Sequence, residues 1–184
     1  MKNKVMPIIV FLTLLAAPML TVNAQEKEAG AAASLSSSLV DHIIDPRVTR
    51  LTAFLEVYNS PLAPEAAHFI AEADKYNLDW KLVAAIAGVE STFGKRIPFR
   101  SYNGWGWKVY TGQSYGTAFD SWKEGITEVS RGLRENYMNK GAVTIEQMGH
   151  RYAASPRWSN NVRFFIQKIE SFQPTKLQHL ALAI

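Results

Sequence analysis

The chain of 184 residues contains no cysteine, which excludes disulfide frameworks, thiolate metal sites and cysteine nucleophiles together. It is also short of net charge, at +4, and two of the cations, Lys2 and Lys4, lie in a segment expected to be removed. Without them 18 basic residues face 16 acidic ones, a net +2, which gives no electrostatic argument for a nucleic-acid partner. Metal-ligand spacing is missing: His42, His68, His150 and His179 are dispersed, and each reads as a surface or packing residue. No phosphate-cradling glycine loop occurs, so no metal and no cofactor is expected. Gly112-Gln113-Ser114-Tyr115-Gly116 matches the serine-hydrolase elbow in letters, but no strand precedes it and no helix directly follows, so it reads as a turn. The chain does have 47% apolar residues, enough for one domain with a sizeable core.

Lys2 and Lys4 precede an uncharged, mostly apolar run from Val5 to Val22, and Val22-Asn23-Ala24 places small residues where a signal peptidase reads. Residues 1–24 are therefore expected to be a cleaved export signal, with an uncleaved membrane anchor as the alternative. Residues 25–46, rich in Ala and Ser, read as a linker. The protein is expected to work outside the cytoplasmic membrane, in the periplasm or cell wall, as a monomer.

From Pro46 onward helical periodicity dominates. Val48, Leu51, Phe54, Leu55 and Tyr58 form one apolar stripe, and Ala66, Phe69, Ile70 and Ala73 a second. Asp79 can cap a third helix that is apolar on nearly every face from Leu82 to Val89, as a central helix must be. Ser121 with Glu124 makes a capping-box pattern for a helix running toward Gly141, and Thr144 with Gln147 repeats it for a shorter one. Ser159 is expected to cap a last helix carrying Val162, Phe165, Ile166 and Ile169. The compact domain is placed at 47–173, with a tail at 174–184.

Between the central helix and Ser121 lies an insert, Ser91 to Phe119, with eight aromatic residues, five glycines, four cations (Lys95, Arg96, Arg100, Lys108) and no acid. A small hairpin around Gly112 is expected there. So many rings in a glycine-punctuated loop suggest a cleft wall that stacks on sugars, with the cations suited to an anionic polymer. The alternative is that the rings simply cap the helical core. Glu90 stands where the apolar helix opens into this insert. Partial desolvation of a carboxyl there favours its neutral form, as a general acid requires.

The stretch Ala85-Ile86-Ala87-Gly88-Val89-Glu90-Ser91-Thr92-Phe93-Gly94 resembles the catalytic segment of the lysozyme-like peptidoglycan glycosidase superfamily. That superfamily includes the lytic transglycosylases and the bacterial glucosaminidases with their mannosyl-glycoprotein endo-beta-N-acetylglucosaminidase-like domain. Asn103-Gly104-Trp105-Gly106-Trp107 resembles the Asn-x-x-Gly aromatic segment of the glucosaminidase branch, and Tyr152-Ala153-Ala154-Ser155 the tyrosine motif that closes the transglycosylase cleft. The Gly-Leu-Met-Gln segment usual in transglycosylases is absent, and Ala-Ala-Ser stands where Asn-Ala-Gly is usual. The resemblance implies a mainly α fold (α+β lysozyme-like), a helical domain whose small aromatic and glycine-rich loop or β-hairpin lobe walls a glycan cleft. It implies Glu90 as acid/base, Ser91 as support for that corner, and Tyr152 reaching Glu90 by hydrogen bond. Tyr102, Asn103, Trp105, Trp107 and Tyr110 are then expected to line sugar subsites.

Hydrolases of this kind usually need two carboxylates, whereas a transglycosylase, as that family is understood, uses one. The insert holds no second carboxylate, which favours the single-glutamate reaction on peptidoglycan glycan strands. Asp120 and Glu124 are the nearest candidates for a hydrolase's second group. A non-catalytic wall-binding module and a helical adaptor for protein remain open at this point.

Overall fold

The computed structural model describes residues 45–108, 116–153 and 155–175. The expected signal and linker, the hairpin around Gly112 with Tyr110, and the tail beyond 175 lie outside the described residues.

The described chain is helical, with turns and irregular backbone between helices and no strand among the described residues. Helix α1, Pro46–Val57, starts on Asp45, whose carboxylate accepts the Arg47 N–H while Pro46 presets the first turn. It buries Leu51, Phe54 and Leu55. A short 3₁₀ turn, Ala63–Glu65, leads into α2, Ala66–Lys75, which buries the expected face of Ala66, Phe69, Ile70 and Ala73. Asp79 accepts the Lys81 N–H and opens α3, Leu82–Ser91, buried at every position from Leu82 to Gly88. Each large side chain in that run contributes about 1.5–3 kcal/mol of transfer free energy, which makes α3 the axis of the domain.

Helix α4, Trp122–Gly132, is capped by Ser121, whose hydroxyl accepts the Glu124 N–H. The sequence suggests that it continues unbroken toward Gly141. Instead it widens into a π turn at Leu133–Tyr137 and tightens into a 3₁₀ turn at Met138–Lys140, with Gly141 at φ 87°. The widened turn leaves the Tyr137 ring beside those of Trp107 and Tyr152. Helix α5, Ile145–Tyr152, carries the complete capping box of Thr144 and Gln147.

The last helix, α6, is Trp158–Ser171 and packs along α3. It begins one residue before the expected cap at Ser159. Ser155 supplies the cap interactions, accepting the Arg157 N–H on its hydroxyl and the Trp158 N–H on its carbonyl. The Ser159 hydroxyl turns away to the Ile145 carbonyl, because Gly149 of α5 has no side chain to hold the two helices apart. No helix among the described residues is long and apolar enough to cross a membrane.

Candidate active site

Helix α3 ends at Glu90-Ser91, and the next three residues, Thr92, Phe93 and Gly94, all take positive φ (53°, 57° and 79°). A β-branched residue rarely adopts this conformation, and each non-glycine case costs roughly 1–3 kcal/mol. Packing holds the corner in place. The Phe93 ring is fully buried, with ring centroids 4.6 Å from Tyr58 and 5.0 Å from Phe165, in space that a Cβ at Gly88 would occupy. Ser60 Oγ donates to the Phe93 carbonyl at 2.8 Å. Ser91 Oγ donates to the Gly104 carbonyl at 2.7 Å and accepts the Gly94 N–H at 2.8 Å. Ser91 thus ties the helix end to the insert.

The insert is organised by Asn103, which is buried. Its Nδ2 donates to the carbonyls of Trp107 and Thr117, and its Oδ1 accepts from the Trp107 and Trp105 amides. The expected sugar-stacking role of Trp105 and Trp107 meets a correction here. Trp105 is 0% exposed, its Nε1 donating to the Val83 carbonyl, and Trp107 is 6% exposed. Both indoles sit against α4 at glycines seven residues apart. A Cβ at Gly125 would fall 2.6 Å from Trp105, and one at Gly132 would overlap Trp107 outright. Seven residues are two helical turns, so the glycines form two notches on one face. Tyr102 is also half-buried, its ring edge-on to Trp122 at 5.4 Å.

The Glu90 side chain opens into a cavity of about 630 Å³ whose lining includes Ser91, Arg96, Phe99, Ser101, Asn103 and Gly106. Glu90 is exposed, and it shares the wall of this cavity with those residues. Burial pushes the Glu90 carboxyl above the usual carboxylate range, and a hydrogen bond from Trp158 opposes that rise. Trp158 Nε1 donates to Glu90 Oε1 at 2.7 Å. Gly106, at φ 59°, brings its backbone against the other oxygen, so that a Cβ there would lie 3.4 Å from Oε2.

Tyr152 does not bond Glu90. Its hydroxyl donates to the Trp105 carbonyl at 2.7 Å, while its ring stacks on Trp158 at 4.8 Å and 22°. Burial and the nearby Glu90 charge hold the phenol well above its ordinary range, so it stays a neutral donor. Tyr152 therefore touches the acid through Trp158. Glu124 is engaged at the start of α4, its Oε2 accepting the Asp120 N–H at 2.6 Å, and neither Asp120 nor Glu124 lines the cavity.

Sequence reasoning missed three residues. Trp158 carried no local signal, since a lone tryptophan near a helix start reads as core. The composition of the insert does not distinguish Arg96 and Phe99 from its other cations and rings, although both line the cavity and Phe99 is 88% exposed. An arginine and an aromatic within ten residues of an acid, in a stretch free of carboxylates, was the available signal. No cluster of three or more metal-ligating side chains occurs among the described residues.

No family model matches the chain. Two proteins of Streptococcus pneumoniae, one from serotype 4 strain TIGR4 and one from strain R6, each carry the name "Putative endo-beta-N-acetylglucosaminidase" and are 25% identical to it over 127 residues. The match covers 65% of this chain but 19% and 18% of theirs, so the chain spans about a fifth of the length of these relatives. The likeness is thus a distant one, to part of two proteins named for a glycosidase activity.

Proposed function

We propose that this chain is a peptidoglycan-cleaving glycosidase acting on the β-1,4 MurNAc/GlcNAc backbone, with Glu90 as its acid/base and the lytic transglycosylase reaction as its chemistry. The observation that carries this reading is a carboxyl held toward its protonated form in a cavity of about 630 Å³, steadied on one oxygen by Trp158. Glu90 is the only carboxylate lining that cavity among the described residues, and the sequence from Ser91 to Phe119 contains no other acid.

In this reading Glu90 gives its proton to the glycosidic oxygen as the C1–O bond breaks. The carboxylate formed is stabilised by the Trp158 N–H, then takes the proton of the C6 hydroxyl on the same muramic sugar. That oxygen bonds to C1, the product is a 1,6-anhydro end, and Glu90 returns to its starting state without consuming water. Asn103 and Ser91 act as positioning residues, fixing the strap that carries Gly106 and the helix end that carries Glu90. The protein would act as a monomer outside the cytoplasmic membrane once residues 1–24 are removed.

The relatives' printed name favours a second reading, hydrolysis next to N-acetylglucosamine, in which Asp120 or Glu124 supplies the second carboxylate. Digestion of purified peptidoglycan, with mass spectrometry of the new chain ends, separates the two. Anhydro ends abolished by Glu90→Gln are the expected result. Reducing ends lost in Asp120→Asn or Glu124→Gln indicate the hydrolase, and saturable binding with no new ends indicates a wall-binding module.

A further inference from the structure

The cavity holds one carboxylate, Glu90, and one guanidinium lining its wall, Arg96. Arg96 is exposed, and its backbone N–H donates to the Ser91 carbonyl at 2.9 Å, which fastens it one turn beyond the acid. None of the ion pairs formed among the described residues uses Arg96, Lys95, Arg100 or Lys108. The sequence leaves them no local partner, because Ser91 to Phe119 is free of acids. The charge of Arg96 is not spent on Glu90 either, whose titration is governed by burial and Trp158. A cationic residue on the wall of a cavity, in no ion pair among the described residues, is complementary to an anion that the cavity receives.

Beside it stands Phe99, also on the cavity wall and 88% exposed, with the Arg100 guanidinium 5.0 Å from its ring centroid. The two tryptophans that the sequence suggests for stacking are buried, so Phe99 is the exposed ring that the described cavity offers to the apolar face of a sugar.

We infer that Arg96 and Phe99 form an anion-selective saccharide subsite, with a sugar ring lying on Phe99 while Arg96 pairs with a carboxylate carried by that sugar or by its peptide. The inference rests on the proposed glycosidase reading and deepens it. The substrate must bear an acid near the bond that is cut, and an uncharged β-1,4 N-acetylglucosamine chain is a poor ligand. The carboxylate has two sources, the lactyl group of a peptide-free muramic residue and the stem peptide of an intact strand.

The test is calorimetric binding to the Glu90→Gln variant, which needs no turnover, using chitotetraose, a peptide-free MurNAc-containing tetrasaccharide and the same tetrasaccharide bearing its peptide. Both acidic ligands, or one of them if a single source is used, should bind at least about tenfold more tightly than chitotetraose at low salt, as one partly exposed charge-assisted contact supplies. Arg96→Gln should remove that preference and its salt dependence while leaving chitotetraose affinity unchanged. Phe99→Ala should weaken every ligand that binds. Equal affinity for neutral and acidic ligands, or a preference that survives Arg96→Gln, overturns the inference. Both side chains are exposed, so neither substitution threatens the fold. If wild-type protein makes no new chain ends while the Arg96-dependent preference persists, the catalytic reading fails and the subsite stands.

Discussion

Replacing Gly132 by alanine separates two accounts of the insert by the sign of the stability change. On an open helix face, glycine to alanine gains about 0.8–1 kcal/mol in propensity. Here the new methyl would occupy the place of the Trp107 indole, which is 6% exposed and has Asn103 holding both its amide and its carbonyl. Overpacking of a tight core costs about 1–3 kcal/mol, and expelling the ring would forfeit about 4–6 kcal/mol of burial, so the helix and the indole must give way together. The balance against the helix gain is a net loss of about 1 kcal/mol. In urea, with a slope of about 1–3 kcal/mol/M, that moves the midpoint down by about 0.5 M. In a Trp107→Leu background the obstacle is gone, and the same substitution should then stabilise by the ordinary helix gain, a sign reversal within one double-mutant cycle. Gly106 follows the displaced strap, so glycan cleavage should fall at urea-free conditions where the variant is still folded. A Gly132→Ala protein more stable than wild type would show that the indole is not seated in this notch.

Three further outcomes are expected. Trp158→Phe keeps the ring stack on Tyr152 but removes the donor that lowers the Glu90 pKa, so the alkaline limb of the pH–rate profile should move to higher pH; an unmoved limb refutes the link. For Glu90 itself the sign is worked from the raised carboxyl. The folded state binds the proton more tightly than the unfolded chain, so stability declines as pH rises from the unfolded pKa through the folded one. Activity declines over the same limb as the acid deprotonates, and Glu90→Gln, measured by thermal melting at pH 5 and 8, should flatten that part of the stability profile. Asn103→Ala removes its bonds to the Trp105 and Trp107 amides and to the Trp107 and Thr117 carbonyls, of which the Trp107 carbonyl keeps the Thr117 N–H, and should cost about 2–4 kcal/mol by chemical denaturation, with cleavage lost well before unfolding.

Much of the helical frame was legible because its signals are local. Pro46 after Asp45, the capping pairs at Ser121 and Thr144, and Gly141 beyond the last turn each act within four residues of their own position. Glu90 was legible for a related reason: an apolar helix that runs out into a polar, glycine-rich stretch puts its last acid at a boundary. The burial of Trp105 and Trp107 was not legible, because their receptors lie on a helix whose Lys123, Glu124, Glu128 and Arg131 advertise a solvent face. Only the three-dimensional approach shows that Gly125 and Gly132 are gaps rather than weak helix residues. Tyr152 presents the same difficulty. Its motif places it near the acid, but which acceptor its hydroxyl finds depends on where the Trp105 carbonyl has been turned.

The bond from Trp158 to Glu90 joins residues 68 positions apart, and Trp158 begins α6. A ribosome will have delivered the acid, its strained corner and the whole insert before the indole that steadies the acid has left the exit tunnel. On the proposed reading, a chain interrupted before residue 158 would carry Glu90 without the indole hydrogen bond that steadies its carboxylate.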